Sequence, residues 1–144
     1  MQNVLEKISE VGVLPVIKIE ELELAVPLAS ALRKGGINAI EVTVRNDIAF
    51  DAIKAISSAF PDMVVGAGTI LTTELVDQAM SAGASYVVAP GYNPKVVQYC
   101  IGKKVPIVPG CTSPSEIEVA VEAGLRILKF FPAGPNGGAA ALKL

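Results

Sequence analysis

Histidine is missing altogether from the 144 residues, and so is tryptophan. Without imidazole, the usual zinc sites and the iron facial triad lose their ligands, and no mechanism can use a histidine base. Cysteine occurs twice, at Cys100 and Cys111, with no metal-binding spacing. Two thiols in an apolar-rich chain read as reduced and buried, which suits a cytoplasmic protein. Aromatic residues make up only 5%, and the formal net charge is −2 with both signs dispersed. No basic stripe or basic–aromatic platform for nucleic acid follows from that. No apolar run reaches the roughly 20 residues that cross a bilayer. Residues 1–10 carry Glu6, Lys7 and Glu10 where a signal peptide would need an apolar stretch.

Apolar residues are plentiful, at 51%, enough for the core of one domain over residues 1–144. They fall into a rhythm. Short β-branched runs at 13–19, 39–45, 63–70, 85–90, 105–109 and 126–131 alternate with amphipathic stretches at 20–34, 47–60, 73–82, 94–102 and 115–123. Pro27 inside the first amphipathic stretch predicts a kink or a late helix start. Asp, Thr, Asn or Ser opens most stretches and Gly or Lys closes them, as helix capping requires. A short helix at 4–10 is predicted to cover one end. Strands joined by helices in units of this length predict a parallel α/β fold. Six units are present, whereas a (β/α)8 barrel has eight and typically ~200 residues or more. An open doubly wound sheet is the alternative arrangement.

Two of the runs place polar groups where a strand buries its face. In the second run Glu41, Thr43 and Arg45 alternate with Ile40, Val42 and Val44, so one face is polar and the other apolar. In a barrel the apolar face meets the helices and the polar face points inward, which suits a catalytic cavity; an edge strand with a solvated face is the other reading. In the sixth run, Arg126-Ile127-Leu128-Lys129-Phe130-Phe131-Pro132, nothing local calls for a charge at Lys129. Burial disfavours the ammonium form, and free amine attacks a carbonyl to form a Schiff base. An inward Glu41 supplies the carboxylate that such chemistry needs for proton transfer, and it also serves as a partner charge for Lys129 or Arg45.

Further candidates lie at the carboxyl ends of strands, where α/β proteins place their sites. Arg45 offers a fork for a carboxylate or phosphate. Gly66-Ala67-Gly68-Thr69 lets backbone approach a ligand but is no dinucleotide fingerprint, since Leu71 stands where a third Gly belongs. Pro90-Gly91 and Pro109-Gly110-Cys111-Thr112 punctuate two more loops.

With these residues in view, the chain resembles the bacterial 2-dehydro-3-deoxy-phosphogluconate aldolase family, also called 4-hydroxy-2-oxoglutarate aldolase. The matching stretches are Leu14-Pro15-Val16-Ile17, Ile40-Glu41-Val42-Thr43-Val44-Arg45, Val65-Gly66-Ala67-Gly68-Thr69, Ala89-Pro90-Gly91, Ile107-Val108-Pro109-Gly110 and Leu128-Lys129-Phe130-Phe131-Pro132-Ala133. Their order and spacing run the length of the chain. The resemblance implies a (β/α)8 TIM barrel and a class I aldolase, a lyase of carbohydrate metabolism in the Entner-Doudoroff route. Lys129 would be the Schiff-base residue and Glu41 the general acid and base. Arg45, Thr69, Pro90 and Phe131 would line the substrate pocket, with Arg45 and Thr69 near the pyruvyl carboxylate. A 2-keto-3-deoxy-6-phospho sugar acid, or 4-hydroxy-2-oxoglutarate, would be cleaved to pyruvate and glyceraldehyde 3-phosphate or glyoxylate. No metal or other cofactor is implied, and the assembly would be a homotrimer.

Two departures follow from the same resemblance. Gly134, followed by Pro135, stands where the family carries an acidic residue, which bears on the loop over the pocket. The family's seventh and eighth strands, whose ends bind the substrate phosphate, have no counterpart in these residues. The expected architecture is therefore the first six βα units of the barrel, open at its edges, with little or no activity on its own. Two other readings remain: a different phosphosugar isomerase or synthase with Lys129 as an electrostatic group, and a non-catalytic half-barrel that binds sugar acids.

Overall fold

The computed structural model describes residues 2–143; Met1 and Leu144, which end the expected domain and the last expected helix, lie outside the described residues. The chain runs α1 (Gln2–Val11), β1 (Val16–Ile17), a 3-10 turn (Leu22–Leu24), α2 (Ala25–Lys34), β2 (Ala39–Thr43), α3 (Ala49–Ala59) and β3 (Val64–Gly68). It continues through α4 (Thr73–Ser81), β4 (Tyr86–Ala89), α5 (Pro94–Lys103), β5 (Ile107–Cys111), α6 (Pro114–Glu122), β6 (Lys129–Phe130) and α7 (Gly138–Ala141). All strand pairs are parallel, and the spatial order β1-β2-β3-β4-β5-β6 is the sequence order. A doubly wound sheet reverses its order at a switch point. This one never does, so it is the wall of a barrel, open between β1 and β6.

Local chemistry sets where most elements begin and end. Thr72 caps α4 and Asn93 caps α5, each accepting a backbone N–H with its side chain. Ser113 and Glu116 close a reciprocal capping box on α6, with Pro114 in its first turn. The predicted late start near Pro27 is present: a 3-10 turn precedes α2, and Pro27 sits in the first helical turn, where its missing N–H has no intrahelical partner to lose. Elsewhere the boundaries move. The helix expected from Asp47 begins at Ala49 without a side-chain cap. The helix expected to stop at Gly102 runs to Lys103, and Lys104 takes the left-handed conformation at φ 58°. The first and sixth strands shrink to two residues each, because each is an edge strand paired on one side only.

Strand alternation divides the core in two. Ile40, Val42, Val65, Ala67, Val87 and Ile107 face outward against the helices. There Ala25, Ala29, Ala52, Ala79 and Ala120 are buried to 0% exposure, and their small side chains let the helices lie close to the sheet. Inside the curl, Ala39, Val64, Tyr86 and Val88 pack with Val4, Ile8 and Val11 of α1, so that helix plugs the amino-terminal end of the wall. The polar groups of β2 sit above this apolar floor, towards the carboxyl ends of the strands.

Candidate active site

The alternation of β2 turns both Glu41 and Thr43 inward, and they are the two buried polar side chains of the described residues. Lys129 reaches Glu41 from β6, the far edge of the sheet. Its Nζ lies 3.3 Å from Oε1 and 3.4 Å from Oε2, a contact between residues 88 apart in sequence. The burial is lopsided. The Glu41 side chain is 3% exposed and that of Lys129 26%. The expectation that desolvation falls on the amine is therefore corrected. The sixth run is short, edge-lying and only half-buried, and the group taken out of water is the carboxyl. Burial pushes the Glu41 carboxyl above its ordinary range, against the opposing pull of the Lys129 and Arg45 charges. A carboxyl held this way changes protonation state nearer to neutrality than an exposed one, which is what acid–base work requires.

The other predicted residues ring this pair. Phe131, exposed just beyond β6, has its ring 5.2 Å from Lys129 Nζ, a cation–π distance. Arg45 and Thr69 follow β2 and β3, and Arg45 Nε donates to Thr69 Oγ1 at 3.3 Å. Arg45 is exposed, so the inward polar face of β2 ends at Thr43 and Arg45 stands on the rim. Pro90 follows β4, and its carbonyl oxygen lies directly over Gly110 of β5: a Cβ on Gly110 would overlap it. A cavity of about 290 Å³ lies inside the curl, with Glu41, Lys129, Tyr86 and Val108 in its wall and α1 beneath it. A larger hollow of about 540 Å³, between α1 and residues 124–127, adjoins it through Leu5, Ser9 and Ile127 but is lined by neither Lys129 nor Glu41.

Thr69 is held at φ 64°, a conformation that β-branched side chains rarely adopt. The turn after β3 imposes it, and the side chain is thereby aimed at Arg45. Thr69→Gly is expected to raise unfolding stability by about 1 kcal/mol, since relief of the backbone strain outweighs the added freedom of the unfolded chain. Urea unfolding of the two proteins measures this; a destabilised Gly variant would mean that the Arg45 contact outweighs the strain.

Four features escaped the sequence reading. Tyr86 carries no sequence signal beyond its place in a strand, yet its ring is fully buried within the curl and its hydroxyl donates to the Ile40 carbonyl at 3.2 Å. The space over Gly66 and Gly68, expected to admit a ligand, holds the chain's own Tyr86 and Glu41 side chains instead. Gly110 is required by a close backbone approach. Glu116 accepts four hydrogen bonds, from the backbone N–H and hydroxyl of both Thr112 and Ser113, and these draw its carboxyl down to about 2. That carboxylate fixes the loop after β5, and the Ser113-x-x-Glu116 spacing was its legible signal.

Residues 4–144 match the family model described as KDPG and KHG aldolase. The 2-dehydro-3-deoxy-phosphogluconate aldolase of Treponema pallidum is 49% identical over 142 residues, which is 99% of this chain and 68% of that protein. The KHG/KDPG aldolase of Escherichia coli K12 is 40% identical over 131 residues, 91% of this chain and 62% of its own length. Among solved structures, the KDPG aldolase of Legionella pneumophila, with pyruvate captured at low pH as a covalent carbinolamine, superposes with a TM-score of 0.87 at 39% identity. That match covers 90% of this chain and 63% of that one. The chain thus spans about two thirds of the length of the relatives it matches. It belongs to the KDPG and KHG aldolase family of lyases.

Proposed function

We propose that these residues form the imine-forming half of a class I aldolase, with Lys129 as nucleophile and Glu41 as the group that moves protons. The observation that carries this reading is the amine of Lys129 at 3.3 Å from a buried carboxyl. The substrate is a 2-keto-4-hydroxy acid. Lys129 adds to the keto carbon to give a carbinolamine, and loss of water, protonated by Glu41, leaves an iminium. Glu41, now ionised, removes the proton of the C4 hydroxyl. The C3–C4 bond breaks, its electron pair enters the iminium to give an enamine, and an aldehyde departs. Protonation of the enamine at C3 and hydrolysis return pyruvate and the free amine.

Arg45 and Thr69 hold the carboxylate of the keto acid on the rim, while Phe131 and Pro90 flank its carbon chain. The aldehyde is glyceraldehyde 3-phosphate or glyoxylate, according to whether the substrate is a 6-phospho sugar acid or 4-hydroxy-2-oxoglutarate. Both cysteines are free and buried, in keeping with a cytoplasmic setting. The homotrimer rests on the family resemblance.

Borohydride reduction in the presence of pyruvate tests the reading. Hydride converts the iminium to a stable secondary amine, and peptide mass spectrometry is expected to place the adduct on Lys129. An adduct on another lysine, or none in a protein carrying this chain, would remove Lys129 from the chemistry.

A further inference from the structure

Above Val64, β3 turns two glycines inward, Gly66 and Gly68, and side chains of neighbouring strands fill the space above both. Over Gly66 lies the ring of Tyr86: a Cβ built there would overlap its ring carbons. Tyr86 comes from β4, and its hydroxyl reaches the backbone of β2 at Ile40. The ring thus bridges three strands. Over Gly68 lies the carboxylate of Glu41: a Cβ there would overlap Oε1 and sit 2.9 Å from Cδ and Cγ.

The strand register makes this arrangement informative. Glu41 stands beside Gly66 in the ladder, and Thr43 stands beside Gly68. The Glu41 side chain therefore leans one step up the sheet, towards the carboxyl ends of the strands. The space directly beside it, over Gly66, is taken by Tyr86. Only the place over Gly68 is left, and a carboxylate lying there is the one that meets Lys129 Nζ at 3.3 and 3.4 Å.

We infer that Gly68 is a positioning residue for proton transfer, its missing side chain being the seat of the Glu41 carboxylate and the Tyr86 ring the floor beneath it. The inference deepens the function proposed above and rests on Glu41 as the proton-moving group. A methyl group at position 68 meets the Glu41 carboxylate first and displaces it from Lys129. Charged or titratable groups facing Glu41 are Lys129 from β6, Arg45 from just beyond the end of β2 and Tyr86 from β4.

A double-mutant cycle over Gly68→Ala and Glu41→Ala tests this in a protein that carries the chain. Gly68→Ala alone is expected to lower kcat about 10- to 100-fold, the range for a misplacement near one ångström. Its KM should stay within about threefold, because carboxylate binding is left intact. With Glu41 already replaced by Ala, adding Gly68→Ala is expected to change kcat by less than about twofold, since nothing remains to displace. An equal loss in both backgrounds overturns the inference. If Gly68→Ala folds poorly, urea unfolding of the same four proteins decides: rescue by Glu41→Ala supports the seat, and unrelieved destabilisation overturns it. Lack of a pyruvate adduct in the unmutated protein would instead sink the function reading, and the unfolding cycle would still decide whether Gly68 seats Glu41.

Discussion

Lys129→Ala is expected to abolish the borohydride-reducible pyruvate adduct and to lower aldol cleavage by about 10⁴- to 10⁶-fold, the scale on which loss of a covalent nucleophile is felt. The reason is electronic. Cleavage of the C3–C4 bond leaves an electron pair on C3, and the protonated imine is its acceptor; a neutral ketone accepts it far less readily. A structural consequence accompanies the kinetic one. Glu41 is almost fully buried, and Lys129 is the stronger of the two charges that oppose its desolvation. Removing the amine leaves burial with only Arg45 against it, and the carboxyl rises further. A folded-state value raised above the unfolded one means that the fold favours the protonated carboxyl. Stability from that group is present below the unfolded value and is lost as pH rises through the folded value. Lys129→Ala is therefore expected to be nearly as stable as the parent near pH 4 and about 2 kcal/mol less stable near pH 8. That figure is smaller than for a fully buried pair, because Lys129 is partly open to water and Glu41 can take up a proton. Unfolding midpoints at the two pH values measure the difference; an equal loss at both would show that the amine does not compensate the buried acid.

How much of this could be read from the residues follows from what each signal depends on. The alternation Ile40-Glu41-Val42-Thr43 is local, and a strand with one polar face must bury or expose it as a unit. The sequence therefore sufficed to turn Glu41 inward once the rhythm of strands and helices had indicated a barrel wall. Lys129 was legible as a charge out of place among apolar residues. Its degree of burial was not, because β6 lies at an edge and burial depends on what covers that edge. Capping at Thr72, Asn93 and Ser113 follows residue type; the missing cap of α3 does not, because Asp47 falls in a loop set by Asn46, whose side chain donates to the Ile19 carbonyl at 2.7 Å.

The glycines show a second limit. Their spacing in Gly66-Ala67-Gly68 places both on one face, but glycine leaves only a gap, and a gap does not name its occupant. That Tyr86 and Glu41 occupy the two gaps depends on strand register, which places Gly66 between Glu41 and Tyr86 in a single row. Periodicity assigns a residue to a face. It does not fix the stagger between neighbouring strands, and the stagger decides which side chain lies over which glycine.

Glu41→Gln separates proton transfer from imine chemistry, since Lys129 is retained. The amide nearly matches the carboxyl in volume and leaves the seat over Gly68 filled. It cannot accept the C4 hydroxyl proton or supply a proton to the departing water. Turnover is expected to fall about 10²- to 10⁴-fold, the usual contribution of a general acid–base group. The pyruvate adduct on Lys129 should still form, though more slowly, because dehydration of the carbinolamine also draws on Glu41. The pH profile carries the sharper signature. In the parent protein Glu41 must be ionised to take the hydroxyl proton, so kcat should decline on the acid side through its raised folded value. Gln has no such titration, and that acid limb should vanish from the residual activity. An acid limb that persists unchanged in Glu41→Gln would assign the proton transfer to another group and leave Glu41 as the counter-charge of Lys129 alone.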